Sequence, residues 1–335
     1  MAEQNRVIYD WLTFTTKIHS LPDVVALLGL TDLKFENMRG RYCYQDRINY
    51  GGINIMYNGR EDMGICVEMS GQGCRDFETY GNGDYQTIFD LITECWNVDV
   101  DKREMNITRL DVAYDDYIGL LDMNYLIYSV QRLDFVSRCK RAGCHWDNVL
   151  GCTVYHGSER QSSVYIRIYD KLTEQTLVKK NSIDPSISHW VRCELQMKDD
   201  SARGFIKLSN DIRKNYFDVL NNYLRYVIHS DTESNKSRLH TSPEWLRFIE
   251  SWDTVSIFDK PGVNYNISNL DGYINNQLSG AISTYIDVVG VTSFLSNIRE
   301  SQKGKKLNPK YERIKKDNTS SSDSILKFLE DRGAL

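Results

Sequence analysis

Val164-Tyr165-Ile166-Arg167-Ile168-Tyr169-Asp170-Lys171 decides the fold class of this chain. Side chains alternate across a β-strand, so residues two apart share a face. Val164, Ile166 and Ile168 then turn towards a core, while Tyr165, Arg167, Tyr169 and Lys171 line the opposite side. Two further stretches alternate in the same way. In residues 107–115 (ITRLDVAYD), Leu110, Val112 and Tyr114 make an apolar face, and Arg109, Asp111 and Asp115 share the other. In residues 191–198 (VRCELQMK), Val191, Cys193, Leu195 and Met197 are apolar, leaving Arg192, Glu194, Gln196 and Lys198 together. Strands with one apolar and one polar face belong to an antiparallel sheet covered on one side.

Outward from these strands, the remaining pattern predicts an α+β fold. Residues 7–15 alternate imperfectly as an opening strand, followed by a short helix over 23–28 after Pro22. Strands are predicted at 52–57 and 64–70, with Asn58-Gly59 as turn chemistry between them, and again at 152–156. Gly71 to Gly73 break the pattern. Helical spacing marks 85–96 and 123–133, and long helical patterns run from Ala202 towards His229. Residues 230–242 (SDTESNKSRLHTS) are polar and read as a linker or exposed loop. Beyond them Ser242-Pro243-Glu244 starts a helix, residues 278–298 hold one or two more around Gly290, and 324–329 form a short one. The predicted organisation is a catalytic antiparallel-sheet region with flanking helices over 1–230 and a mainly helical region over 231–335, with no internal repeat in the sequence.

Composition narrows the function classes. The chain has 335 residues, 41% hydrophobic and 26% charged, as ordinary globular proteins do. Its net charge of −5 argues against a nucleic-acid partner unless basic charge is clustered. Clustering does occur, because residues 299–316 hold eight Lys or Arg and two Glu, a local charge of +6. No stretch reaches the roughly 18 apolar residues of a membrane span, and residues 1–10 carry no apolar signal core. The expectation is a cytoplasmic protein with no membrane partner. Eight cysteines form no CxxC pair and read as reduced, mostly buried thiols. Cys139, Cys144 and His145 lack the further ligands a zinc site needs. The 21 tyrosines against five prolines favour sheet over disorder.

If the three strands share a sheet, their polar faces collect carboxylates, cations and tyrosines. Asp111 and Glu194 could hold a hard cation such as Mg²⁺ or Mn²⁺ through oxygen ligands. Tyr169, or Tyr165, could serve as a covalent nucleophile. Arg167, Lys171 and Arg192 could bind phosphate. A solvated sheet face with routine cross-strand Arg–Glu pairs accounts for the same spacing, and alternation does not separate the two readings.

The chain also resembles a known family: the replication initiation factors of Gram-positive rolling-circle plasmids, with the related relaxases of integrative conjugative elements. The resemblance rests on six segments in order between residues 8 and 196. They are Ile8-Tyr9-Asp10-Trp11-Leu12, Val67-Glu68-Met69-Ser70-Gly71 with Gly73-Cys74-Arg75, and Thr108-Arg109-Leu110-Asp111-Val112-Ala113. Val154-Tyr155-His156-Gly157-Ser158, Tyr165 to Lys171, and Arg192-Cys193-Glu194-Leu195-Gln196 complete the set. Each motif alone is weak, and their joint order is what is specific.

The resemblance implies a site- and strand-specific DNA nickase. A tyrosine attacks a phosphodiester at the origin, becomes linked to the 5′ end and frees a 3′-hydroxyl that primes rolling-circle synthesis. The tyrosine of the corresponding segment is Tyr169. Arg167 and Lys171 are expected to assist it by favouring the phenolate, with Asp111 and Glu194 on Mg²⁺ or Mn²⁺. Arg109, Arg192, Lys303, Lys305 and Lys306 are the expected DNA contacts. Origin DNA and a host DNA helicase are the expected partners, and the oligomeric state is open between monomer and homodimer. A conjugative relaxase with the same chemistry, or a non-catalytic DNA-binding replication regulator, are the alternatives. Relaxases with paired histidines in a His-hydrophobic-His motif differ from this chain, which has none; His156 lies beside the central strands with no role assigned.

Overall fold

The computed structural model describes residues 5–95, 104–147, 151–179, 181, 183–233, 235–249, 274 and 279–304. It divides into two compact units, Met1–Asp259 and Lys260–Leu335. The first is built on strand β1 (Arg6–Thr16), helix α1 (Leu21–Leu27), four strands β2 (Glu36–Arg39), β3 (Asp46–Tyr50), β4 (Ile53–Tyr57) and β5 (Ile65–Met69), and helices α2 (Gly71–Tyr80) and α3 (Tyr85–Glu94). Then follow β6 (Met105–Asp116), α4 (Met123–Arg132), β7 (Phe135–Ser137), β8 (Ala142–Asp147), β9 (Gly151–His156) and β10 (Val164–Asp170). A short helix α5 (Lys171–Thr173) and one π-helical turn (Glu174–Val178) lead to β11 (Val191–Lys198), α6 (Asp199–Ile206), α7 (Ile212–Tyr223), β12 (Leu224–Tyr226) and α8 (Pro243–Phe248).

Ten strands form one sheet in the order β2-β3-β4-β5-β1-β6-β11-β10-β9-β8, and every neighbouring pair is antiparallel. This order contains a repeat that the sequence does not show. A strand, a helix, a four-stranded meander and two helices occur twice, as β1 to α3 and as β6 to α7, and the halves meet where β1 pairs with β6. The small β7–β12 pair is an addition to the second half.

The predicted faces of the central strands hold. Leu12, Phe14, Val67, Leu110, Val112, Ile166, Ile168, Cys193 and Leu195 are fully buried, in one core with Val24, Phe77, Ile88, Leu126, Phe205 and Phe217 from the helices. The opposite face of the sheet carries the charged residues and a separate small cluster of Tyr44, Met56 and Cys66. All eight cysteines are unpaired; only Cys66, Cys74 and Cys193 are buried, fewer than expected.

Local chemistry explains where the elements begin. Ser20 and Asp23 form a reciprocal capping box on either side of Pro22 at the start of α1. The glycines at 71 and 73 open α2 rather than ending order, because β4 and α2 pass so closely that a Cβ at Gly73 would meet the Gly52 carbonyl. The long helical pattern after Ala202 is broken by Asp211, which caps α7, and ends in β12.

The boundary expected after residue 230 moves. Trp245 and Phe248 of α8 are buried in the first unit's core, and Tyr125 donates to the Ser242 hydroxyl at 2.5 Å. Residues 231–249 therefore belong to the sheet unit. In the second unit, α9 (Ser279–Val289) and α10 (Val291–Gln302) flank Gly290 as expected, with φ at +82° and ψ at 153°, a conformation reserved for glycine. Asn297 donates to the Tyr285 hydroxyl at 3.0 Å between them. The helix expected at 324–329 lies outside the described residues.

Candidate active site

On the polar face, β1, β6, β11 and β10 lie side by side and converge on an open cleft of about 610 Å³. Asp10 and Trp11 from β1, Arg109 and Asp111 from β6, Arg192 and Glu194 from β11, and Arg167 and Tyr169 from β10 all line it. Lys171 and Glu174 close one side just beyond β10. Asp10 and Trp11 both point in because β1 bulges between Tyr9 and Trp11. A bulge places two consecutive residues opposite one and re-aims a side chain. That explains the imperfect alternation of residues 7–15.

Tyr169 is the buried centre of this arrangement. Its hydroxyl donates to Glu194 Oε2 at 3.4 Å and accepts from Lys171 Nζ at 3.2 Å. The Arg167 guanidinium lies over its ring at 4.6 Å and donates to the same Glu194 oxygen at 2.9 Å. The phenol is held well above its ordinary pKa, by burial first and by the Glu194 charge, against Arg192 and Arg167. The cations expected to favour the phenolate do act in that direction, but burial outweighs them in the resting site. Glu194 is held below the usual carboxylate range, since Arg167, Arg192 and Lys171 outweigh its burial. Lys171 is lowered by burial and by Arg192, although Glu174 binds its ammonium at 2.5 Å. Tyr165 sits on the same face, half-buried and outside the residues lining the cleft.

Asp111 and Glu194 both line the cleft, and their charges act on each other. Burial and the Glu194 charge push Asp111 up to about 7, against the Arg109 guanidinium that binds it at 2.5 and 2.9 Å. A divalent cation would relieve that repulsion, and Glu194 Oε1 is used by neither bond described above. Among the described residues no group of three His, Cys, Asp or Glu is placed to hold a metal. A Mg²⁺ or Mn²⁺ ion here would be held by Glu194 and by Asp111 oxygens that Arg109 now binds, with water and substrate phosphate completing its shell.

The expected DNA contacts divide. Arg109 stacks on Trp11 at 4.1 Å and borders the cleft. Arg192 is buried, and its three nitrogens go to Asp115 at 2.7 and 2.9 Å and Asp10 at 2.7 Å. It braces three strands through three of its five N–H donors, so its first role is to hold the sheet, and it lines the cleft while doing so. Lys303 is exposed beside Glu300 at 3.5 Å; Lys305 and Lys306 lie outside the described residues. His156 is on the core face, fully buried, with Nε2 at 2.9 Å from the Tyr226 hydroxyl, and desolvation pushes it down to about 3. It is part of the core and does not line the cleft.

Sequence reasoning missed Asp10, Trp11 and Glu174. Asp10 and Trp11 stood in a quoted motif, but their facing depends on the bulge. Glu174 follows a strand end and carries no periodic signal.

Residues 105–298 match the replication initiation factor family, and residues 6–94 match the N-terminal domain of rolling circle replication initiation proteins. A putative DNA relaxase, NicK, of Bacillus subtilis (strain 168) is 28% identical over 266 residues, 75% of this chain and 73% of that protein. The rolling circle replication initiator protein of Geobacillus stearothermophilus shares the fold with a TM-score of 0.62 and 29% identity, over 73% of this chain and 96% of that one. The strands that build the cleft fall within these matches, and the chain belongs to the replication initiation factor family.

Proposed function

We propose that this protein initiates rolling-circle replication by nicking one DNA strand at an origin, with Tyr169 as nucleophile. The observation that carries the reading is the Tyr169 hydroxyl held between an ionised Glu194 and the Lys171 ammonium inside an arginine-lined cleft. A phenol is a weak nucleophile until its proton is removed. Glu194 takes that proton as the Tyr169 oxygen attacks phosphorus. The tyrosyl O–P bond forms, the P–O3′ bond breaks, and the departing 3′-oxygen takes a proton from solvent. Arg167 and Lys171 sit where charge builds on the phosphoryl oxygens. Mg²⁺ or Mn²⁺ on Asp111 and Glu194 would add charge stabilisation to the leaving oxygen. The phosphotyrosyl bond conserves the energy of the broken linkage, so rejoining needs no ATP. The 3′-hydroxyl is a primer in duplex DNA, and its extension calls for a helicase to displace the strand.

The test uses supercoiled plasmid carrying the DNA next to the protein's own gene, with Mg²⁺ or Mn²⁺. Open circles with protein on the 5′ end are expected, and Tyr169→Phe should give no adduct while binding the origin within about twofold. A persistent 5′-linked adduct in that variant removes Tyr169 from the role. Binding without nicking by the unaltered protein identifies a regulator instead.

A further inference from the structure

Beside the nicking cleft, on the same sheet face, lies a second pocket of about 450 Å³. Trp11 and Arg109 border both, so a chain leaving the cleft past Trp11 enters this pocket directly. Its walls are aromatic and apolar: Trp11, Tyr42, Tyr44, Met63 and Cys66. One carboxylate stands among them. Glu68 of β5 is only 6% exposed, accepts a hydrogen bond from the Tyr42 hydroxyl at 3.1 Å, and has Arg41 at 3.9 Å.

The turn that brings in Tyr42 and Tyr44 is strained. Between β2 and β3 the Tyr44 N–H bonds the Arg41 carbonyl at 2.9 Å, and the two central residues, Tyr42 and Cys43, have φ of 53° and 70°. Such turns favour Asn and Gly at both positions. Two larger residues kept there are a backbone cost, of the kind that gathers at ligand sites.

Resting on the nicking reading, we propose that this pocket takes one unpaired nucleobase of the strand flanking the scissile phosphate. Its ring stacks between the Trp11 and Tyr42 side chains, and its exocyclic amino group donates to Glu68. Aromatic faces accept any base, whereas a buried carboxylate accepts hydrogen bonds and offers none. The pocket therefore favours cytosine, adenine or guanine over thymine, whose single N3–H donor sits between two carbonyl oxygens that repel the carboxylate. Arg41 and Arg109 offset the repulsion between Glu68 and the phosphates. The pocket thus fixes where along the strand Tyr169 meets its phosphodiester.

Single-stranded oligonucleotides spanning the nick test this. Each position on either side carries in turn an abasic site or thymine, and affinity is read by anisotropy and adduct formation by gel. At one position near the nick, either change should weaken binding of the unaltered protein by about 5- to 100-fold. Glu68→Gln should level the difference between an amino-bearing base and thymine there, because an amide both donates and accepts. Tyr42→Ala, on an exposed turn, should lower affinity by about tenfold with adduct formation restored at saturating DNA. If both folded variants keep the unaltered protein's position profile and affinity, the pocket is not a base site. If the unaltered protein shows no sensitive position, the proposal is equally overturned. Absence of any adduct with the unaltered protein, alongside an intact affinity profile, rejects the nicking reading and retains the base pocket.

Discussion

At Tyr169 the chemistry turns on which neighbour takes the phenolic proton. Glu194 is ionised and within 3.4 Å, while Lys171 faces the same oxygen as a donor. Glu194→Gln keeps the shape and removes the base, so single-turnover adduct formation should fall by about 10²- to 10⁴-fold with DNA affinity little changed. An unaltered rate would remove Glu194 from that role. Chelation should abolish nicking and added Mn²⁺ should restore it, and Asp111→Asn should weaken Mn²⁺ binding in calorimetry. His156 gives a pH prediction of the opposite kind. Its folded pKa of about 3 lies below the ordinary value of 6.5, because burial excludes the charged ring. The unfolded chain therefore binds the extra proton below pH 6.5. Stability from this residue is complete above that pH and is lost as pH falls towards 3, by on the order of 4 kcal/mol. Urea midpoints of His156→Gln should fall less steeply than those of the unaltered protein between pH 6.5 and 4; parallel slopes would contradict this.

Among the elements, the join of β1, β6 and β11 is what aligns the cleft. Arg192 on β11 spans Asp115 on β6 and Asp10 in the β1 bulge. Asp115 is held below its ordinary pKa by Arg192 despite its burial, whereas Asp10 is pushed up by burial more than Arg192 lowers it. Removing the cation takes the buried guanidinium from both carboxylates and leaves Asp115 the half-exposed Arg6 at 3.3 Å and the Trp190 indole at 2.8 Å. Arg192→Met should cost about 3–5 kcal/mol of stability in denaturant unfolding and slow adduct formation. Asp115→Asn with Arg192→Met should recover part of the stability, since no carboxylate charge then remains at position 115. Failure of that recovery would show that packing, rather than the charge, carries the effect. The faces of β6, β10 and β11 were legible because period-two alternation is a local property. Those strands begin and end within two residues of the positions read from the sequence. The edge strands β2 and β8, and β3 next to β2, were not, because positions at and near the sheet edge place weaker demands on their composition.

For the whole molecule, net charge misleads and its distribution decides. The total is −5, yet the cleft collects Arg109, Arg167, Arg192 and Lys171, and residues 299–316 add +6. Deleting residues 302–335 should weaken origin binding and flatten its salt dependence by about 0.9 in slope per lost phosphate contact. Unchanged affinity and slope, measured by anisotropy across salt, would exclude that segment from the interface. Sequence alone determined the alternating faces, the cap and turn residues, and the motifs that mark the family, since each is written within a dozen consecutive residues. Only the tertiary structure decided what those faces do together. Pairing of β1 with β6 joins two like halves and sets Asp10 and Trp11 beside strands more than 90 residues away in sequence. Burial then sets how hard the Tyr169 phenol is to ionise, because desolvation depends on every element packed around it and on no single stretch of chain.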